Sequence, residues 1–151
     1  MQVSELLESK GAKVITTPPQ VAVSALSRTL QDERIGAALV QGSDGALMGI
    51  ISERDIVHSI AEKGPTALEL PVSELMTSPV VTCGPDTNLE ELMQKMIDGR
   101  IRHLPVIEDG SLIGIISIGD VVKGVVNELK WVKNALQQQV MKSAAWSTDE
   151  D

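Results

Sequence analysis

The sequence predicts a mixed α/β (α+β) fold in which two tandem β-α-β-β-α repeats pack on each other around a pseudo-two-fold axis. Three observations carry that expectation. The stretch "GIISERDIV" at residues 49–57 returns as "GIISIGDVV" at residues 114–122, and self-similarity at a long period marks a duplicated unit. The copies stay in step elsewhere. "VSEL" occurs at residues 3–6 and again at 72–75, and Leu26, Leu30, Ile35 and Val40 fall on Leu92, Met96, Ile101 and Val106. Within each copy a helical spacing of apolar residues gives way to two short apolar runs separated by Gly and Asp, the signature of a helix followed by a hairpin.

The elements follow in order. Each copy opens on a short apolar segment, Val14-Ile15 or Val80-Val81, that runs into a Pro-containing turn. Leu89, Leu92, Met93, Met96 and Ile97 then recur at helical spacing. Residues 35–40 and 101–107 are short and apolar, the turns "GSDG" and "EDG" follow, and residues 47–51 and 112–116 complete a hairpin. The offset between copies is 66 at Val40 and Val106 but 65 at Gly49 and Gly114, which places a one-residue deletion in that turn. A Ser-x-x-Asp then opens the second helix. Gly64-Pro65 breaks it in the first copy, inside a linker-like segment over residues 59–71.

These readings divide the chain into a first repeat at residues 1–64, a second at 65–127, and a C-terminal amphipathic helix with an acidic tail at 128–151. Leu129, Val132, Leu136 and Val140 share one face of a helix expected from residue 125 to 145, with Trp131 alongside. That face calls for a cover, either a second chain or the body of the module. The terminal "STDED" is polar and expected to fray. One copy is too small to bury both faces of a three-stranded sheet, so the two are expected to share a core and therefore a cleft.

Composition narrows the function. A chain of 151 residues with 42% hydrophobic content can bury a core. Thirteen basic against twenty-one acidic residues give a net charge of -8, which repels a nucleic-acid backbone. Phe and Tyr are absent and the aromatic rings are Trp131 and Trp146, so base-stacking platforms are missing and the core must be aliphatic. One cysteine, Cys83, allows no internal disulfide, and with two histidines it makes a poor zinc set. Cys83 reads as a small buried filler. No run is long enough to span a membrane, and the N-terminus has no signal-like apolar stretch. A cytoplasmic protein is expected.

Each Ser-x-x-Asp has two readings. Ser at the N-cap with an acid three residues on is close to the capping box, in which each side chain satisfies a backbone N–H of the first turn. The second reading is a ligand grip. Gly-Ile-Ile precedes both motifs, so a strand delivers the helix start to the open end of a sheet, where exposed N–H groups suit a phosphate. Asp can also accept both hydroxyls of a ribose. Catalytic signatures are missing: there is no Gly-x-Ser-x-Gly, His-Glu-x-x-His, Walker loop, Gly-x-Gly-x-x-Gly or Cys-x-x-Cys. The chain is not expected to be an enzyme, and no catalytic cofactor is expected.

The doubled pattern, with "RIRHLPVIEDGSLIGIISIGDVV" matched by "RIGAALVQGSDGALMGIISERDIV", resembles a pair of cystathionine-β-synthase (CBS) domains, a Bateman module, over residues 3–127. The likeness extends to small stand-alone bacterial CBS-pair proteins. It implies an adenosine-containing effector (AMP, ADP, ATP, NAD(H) or S-adenosylmethionine) in clefts between the copies, and a flat homodimer. By the same resemblance Asp55 and Asp120 each hold a ribose, and Ser52 and Ser117 bond the ribose or phosphate end. Thr16 and Thr82 contact sugar or phosphate, and the backbone at Val14 and Val80 reads the adenine edge. Ile51 and Ile116 line the base pocket, with Met76 flanking it. Arg102 and His103 meet phosphates with help from Arg54, His103 being held protonated. The copies differ at two places, Gly36-Ala37 against Arg102-His103 and Arg54 against Gly119, so the sites are expected to differ in phosphate preference. The implied function is an adenine-nucleotide sensor that acts on a protein target in trans by conformational change. The alternatives are a ligand-free dimerisation scaffold, against which the paired Asp55 and Asp120 count, and a sensor of S-adenosylmethionine.

Overall fold

The computed structural model describes residues 1–11 and 13–148. The chain begins with helix α1 (Val3–Lys10) and the short strand β1 (Thr16–Thr17), followed by α2 (Val23–Glu33), the strands β2 (Ala37–Gln41) and β3 (Leu47–Ser52), and α3 (Glu53–Lys63). A 3-10 turn over Gly64–Glu69 and the short α4 (Val72–Leu75) lead to α5 (Leu89–Gly99), β4 (His103–Glu108), β5 (Ser111–Ser117) and α6 (Ile118–Thr148). Gly64, at φ 71, ends α3 in a conformation that glycine adopts without strain, and Pro65 starts the 3-10 turn.

The hairpins form as expected. β2 and β3 pair antiparallel, as do β4 and β5, and both pairs shift register at the same repeat position, Val40/Gln41 and Val106/Ile107. Asp109 and Gly110 close the second hairpin with φ 50 and 77, the two positive values that a type I′ turn requires. The first hairpin uses a longer connection, residues 42–46, so the one-residue deletion falls in the turn.

The opening strands form just after the apolar pairs Val14-Ile15 and Val80-Val81. Thr16 and Thr17 pair in parallel with Leu39 and Val40, whereas the second copy keeps a single parallel bridge, Cys83 to Val106. Thr17 and Cys83 are the buried residues here, not the apolar pairs before them; Val81 is 45% exposed. A strand of two residues is too short for its period to be read from sequence.

The core corrects the expectation of one shared interior. Two aliphatic clusters form, and each is completed by the helix that precedes the other copy. Val3 and Leu6 of α1 pack with Leu92, Leu104, Val106 and Ile116 of the second copy. Val72 of α4 packs with Val23, Leu26, Val40 and Ile51 of the first. Backbone bonds fix the exchange: Val3 N–H donates to the Thr87 carbonyl and Leu89 N–H to that of Met1, both at 2.9 Å, while Val72 N–H donates to Val21 at 2.8 Å. Glycine permits the close crossings. A Cβ at Gly114 would lie 2.6 Å from Leu7 Cδ2, and one at Gly49 would lie 2.6 Å from Met76 Sδ and 3.0 Å from the Thr77 carbonyl.

The last helix is a second correction. The segment expected as a separate helix over residues 125–145 is continuous with the helix opened by Ser117, giving 31 unbroken residues. Gly124, the residue that could have interrupted it, is held against Leu6. Of the tail expected to fray, residues 147 and 148 end α6 and residues 149–151 lie outside the described residues. Among the described residues no helix is long and apolar enough to cross a membrane.

Candidate functional site

Both Ser-x-x-Asp motifs are helix caps. The N–H and hydroxyl of Ser52 donate to Asp55 Oδ2 at 2.9 and 3.1 Å, and Asp55 N–H donates to Ser52 Oγ at 3.3 Å. Ser117 and Asp120 repeat the set at 2.8, 2.9 and 3.2 Å. In each motif a single carboxylate oxygen, Oδ2, takes both serine bonds and Oδ1 stays outside the cap. Thr77 Oγ1 makes a long contact of 3.5 Å to Asp55 Oδ1. Capping therefore leaves each acid an oxygen with which to do something else.

Each cap opens onto a cleft between the copies. The first, about 370 Å³, places Ser117, Asp120 and Ile115 of the second copy opposite Arg34, Ile35 and Gly36 of the first, with Lys10 and Lys13 alongside. The second, about 220 Å³, places Ser52, Arg54, Asp55 and Ile50 of the first copy opposite Arg100, Arg102 and His103 of the second, with Thr77 alongside. His103 and Gly36 line both clefts. The imidazole lies 3.4 Å from where a Cβ on Gly36 would stand, so the histidine of the second copy packs against the glycine of the first. The sequence asymmetry becomes one shared wall.

The predicted residues divide accordingly. Ser52, Arg54, Asp55, Arg102 and His103 come together in one cleft, and Ser117, Asp120 and His103 in the other. Ile51 and Ile116, expected in the base pocket, are instead fully buried in the two cores. Successive strand side chains point to opposite faces, and their neighbours Ile50 and Ile115 face the clefts. Met76 lies across Gly49, and neither it nor Val14, Thr16, Val80 or Thr82 is among the residues lining the clefts. The Thr82 carbonyl accepts from Lys95 Nζ at 3.1 Å.

Among the contributors that the sequence did not single out are Lys10, Thr77 and Arg34. Lys10 Nζ donates to Asp120 Oδ2 at 2.6 Å and to the Ile115 carbonyl at 2.8 Å. Thr77 exchanges both backbone bonds with Ile50, at 2.8 and 3.1 Å, and so enters the second cleft. Arg34 and Arg100 end α2 and α5 in the left-handed conformation, φ 55 and 51, and one guards each cleft. Their spacing of 66 in "ERI" and "GRI" was the available signal.

Electrostatics set the charge states. Burial alone would push the Asp120 carboxyl up, but the Lys10 hydrogen bond, the Ser117 N–H, the Lys10 charge and the Ser117 hydroxyl together hold it below its ordinary value. His103 is pushed down by burial first and by the Lys10 charge next, with Arg102 adding to them, against opposing pulls from Asp120 and Glu53. With the cleft lined only by the protein's own groups, desolvation favours the neutral ring; the protonated imidazole expected above belongs to a ring beside a phosphate. The Cys83 thiol is pushed up to about 11, mainly by burial, and is inert filler at neutral pH.

Comparison with known proteins adds the following. The family model described as CBS domain matches residues 3–62 and 72–127. A CBS domain-containing protein of Arabidopsis thaliana, CBSX3, mitochondrial, is 38% identical over 136 residues, which are 83% of this chain and 65% of that protein; two longer Arabidopsis relatives are spanned over only 19% of their length. Among solved structures, the CBS-domain containing protein ATU1752 from Agrobacterium tumefaciens is 45% identical with a TM-score of 0.79, covering 81% of this chain and 91% of that one. The CBS domain protein PAE2072 from Pyrobaculum aerophilum, complexed with AMP, is 27% identical with a TM-score of 0.70 over 80% of this chain and 89% of its own.

Proposed function

The chain belongs to the CBS-domain family, and from that premise we propose that it is a regulatory module whose two clefts bind an adenine nucleotide (AMP, ADP, ATP or NAD(H)) and whose response is read by a cytoplasmic protein target in trans. The observation that carries the reading is the pairing, in each cleft, of one copy's Ser-x-x-Asp cap with cationic side chains of the other copy. The AMP held by the Pyrobaculum relative supports an adenosine ligand.

In this reading Asp120 Oδ1 accepts the ribose hydroxyls, and the Ser117 end of α6 faces sugar or phosphate. Asp55 and Ser52 do the same in the second cleft. Lys10, Lys13 and Arg34 supply phosphate charge in one cleft, and Arg54, Arg100 and Arg102 in the other. At about 370 Å³ the Asp120 cleft has the size of a small-molecule site, and the 220 Å³ cleft falls below that range. Ligand that favours one arrangement of the two copies shifts the population toward it. Two copies of the chain pair through the apolar helix faces of the module.

Thermal denaturation with millimolar AMP, ADP, ATP, NAD and S-adenosylmethionine tests this. A true ligand at a hundredfold excess over its Kd adds about 2.7 kcal/mol to the folded state and raises the midpoint. A rise with S-adenosylmethionine alone changes the effector. A midpoint that none of the five moves favours the ligand-free scaffold and overturns the sensor reading.

A further inference from the structure

We propose that the outer part of α6 is a dimerisation device, which pairs with α6 of a second copy as a parallel, in-register coiled coil. Ile118, Val122, Val125, Leu129, Val132 and Leu136 step along α6 by four, three, four, three and four residues, the alternation that keeps one apolar seam on a supercoiled pair. The seam is open to solvent in the single chain: Val122, Leu129 and Leu136 are each more than half exposed. A contiguous apolar strip of this kind on a charged helix marks a contact surface. Gln139 and Ser143 take the next two seam positions, so the seam stops before α6 does.

Two arguments select a second copy in parallel. The first is charge. Glu128 and Lys133 flank the seam on opposite edges, five residues apart, which is the spacing at which flanking residues of parallel helices meet. In register, Glu128 of each helix reaches Lys133 of the other, twice by symmetry. An antiparallel pair instead sets the edge carrying Gly119, Val126, Lys133 and Val140 against the same edge, with no acid to meet the lysine, and the other edge pairs Glu128 with Lys142 only by setting Leu129 against Gln139, where the apolar seam has ended. Glu128 is half exposed, with the N-terminal ammonium 3.9 Å away, so it can turn to a partner.

The second argument is continuity. The first half of the seam lies on the body, where Met93, Ile97 and Ile101 extend it into an apolar groove of about 580 Å³. The seam spans nearly three heptads, about 27 Å, short for an isolated coiled coil, and joining it to the body's apolar face supplies the missing area. That groove is a poor seat for the projecting segment of another copy, because Arg54, Arg100 and Arg102 line it and would meet Lys130 and Lys133.

The pairing deepens the homodimer in the proposed function and does not depend on what occupies the clefts. Leu136→Cys on the seam and Trp131→Cys, which lies off it, are oxidised in the 151-residue chain; Cys83 is buried and serves as the silent background. The expected result is a disulfide-linked dimer as the dominant species for Leu136→Cys and a minor one for Trp131→Cys. Glu128→Lys should weaken self-association in sedimentation and Glu128→Lys with Lys133→Glu should restore it. Equal cross-linking at both positions, or none at Leu136→Cys, overturns the coil. If the protein still sediments as a dimer in that case, the pairing through the module survives; if it sediments as a monomer, both fall.

Discussion

At the level of single residues, the Ser-x-x-Asp motif shows that a structural and a binding role need not compete. The cap engages Oδ2 of each aspartate, and the ribose role requires Oδ1, so the two readings divide one carboxylate between them. They can be separated by mutation. Ser117→Ala removes the cap hydroxyl and leaves the acid; it should cost about 1 kcal/mol of stability, measured by urea denaturation. Asp120→Asn retains an acceptor for the Ser117 N–H but loses the charge that Lys10 meets; it should cost at least as much stability as Ser117→Ala and also abolish most of the AMP-induced rise in midpoint. Stability losses with an unchanged AMP response in both variants would leave the motif a cap and nothing more. The motif itself was legible because it occurs twice. The facing of its neighbours was not, since Ile50-Ile51 and Ile115-Ile116 are paired isoleucines and composition gives no sign of which member points inward. Lys10 was hidden for another reason. At the offset of 69 that aligns the two VSEL stretches its repeat equivalent is Pro79, so comparing the copies concealed it.

Elements were easier to find than their partners. The helices and hairpins follow from apolar spacing and from Gly and Asp in the turns, but spacing cannot say which copy a helix packs against. The exchange of α1 and α4 is a tertiary fact with one faint sequence mark, the glycines at 49 and 114 that admit Met76 and Leu7. It has a direct consequence. Leu6 is 4% exposed and belongs to the cluster of the second copy, so Leu6→Ala should destabilise the protein by about 2–5 kcal/mol. Amide hydrogen exchange should show the loss of protection in α5, β4 and β5, residues 89–117, before β2 and β3. Protection lost first in β2 and β3 would contradict the exchange. The extent of the short first strands was hidden for the same kind of reason: Val14-Ile15 and Val80-Val81 are apolar, but tertiary pairing selects Thr16–Thr17 and Cys83.

For the whole molecule, the wall between the clefts joins parts far apart in the chain. Lys10 from the first helix, Glu53 from the first copy and Asp120 from the second all act on His103, and Lys10 acts on Asp120 as well, so a pH titration of stability reads that assembly. His103 has a folded value below its ordinary 6.5, so the unfolded chain takes up a proton more readily. Its contribution is intact above 6.5 and is lost as pH falls through the folded value. Asp120 lies below its ordinary 3.8; its contribution is intact above 3.8 and lost only as pH falls further, through the folded value. Two separate descents are therefore expected on acidification, one beginning near neutrality and one below 3.8. His103→Gln should erase the first and spare the second. Lys10→Met should shrink both, because the Lys10 charge helps to lower each group. Unfolding followed by far-ultraviolet circular dichroism suits the measurement, since the chain has no Tyr or Phe and Trp131 is exposed. Relief of acidic self-repulsion as the pH approaches the isoelectric point of about 4.7 is nearly common to wild type and variants, so the difference between curves isolates the wall. A His103→Gln curve parallel to wild type between pH 7 and 5 would mean that the imidazole is solvated and the two clefts do not share it.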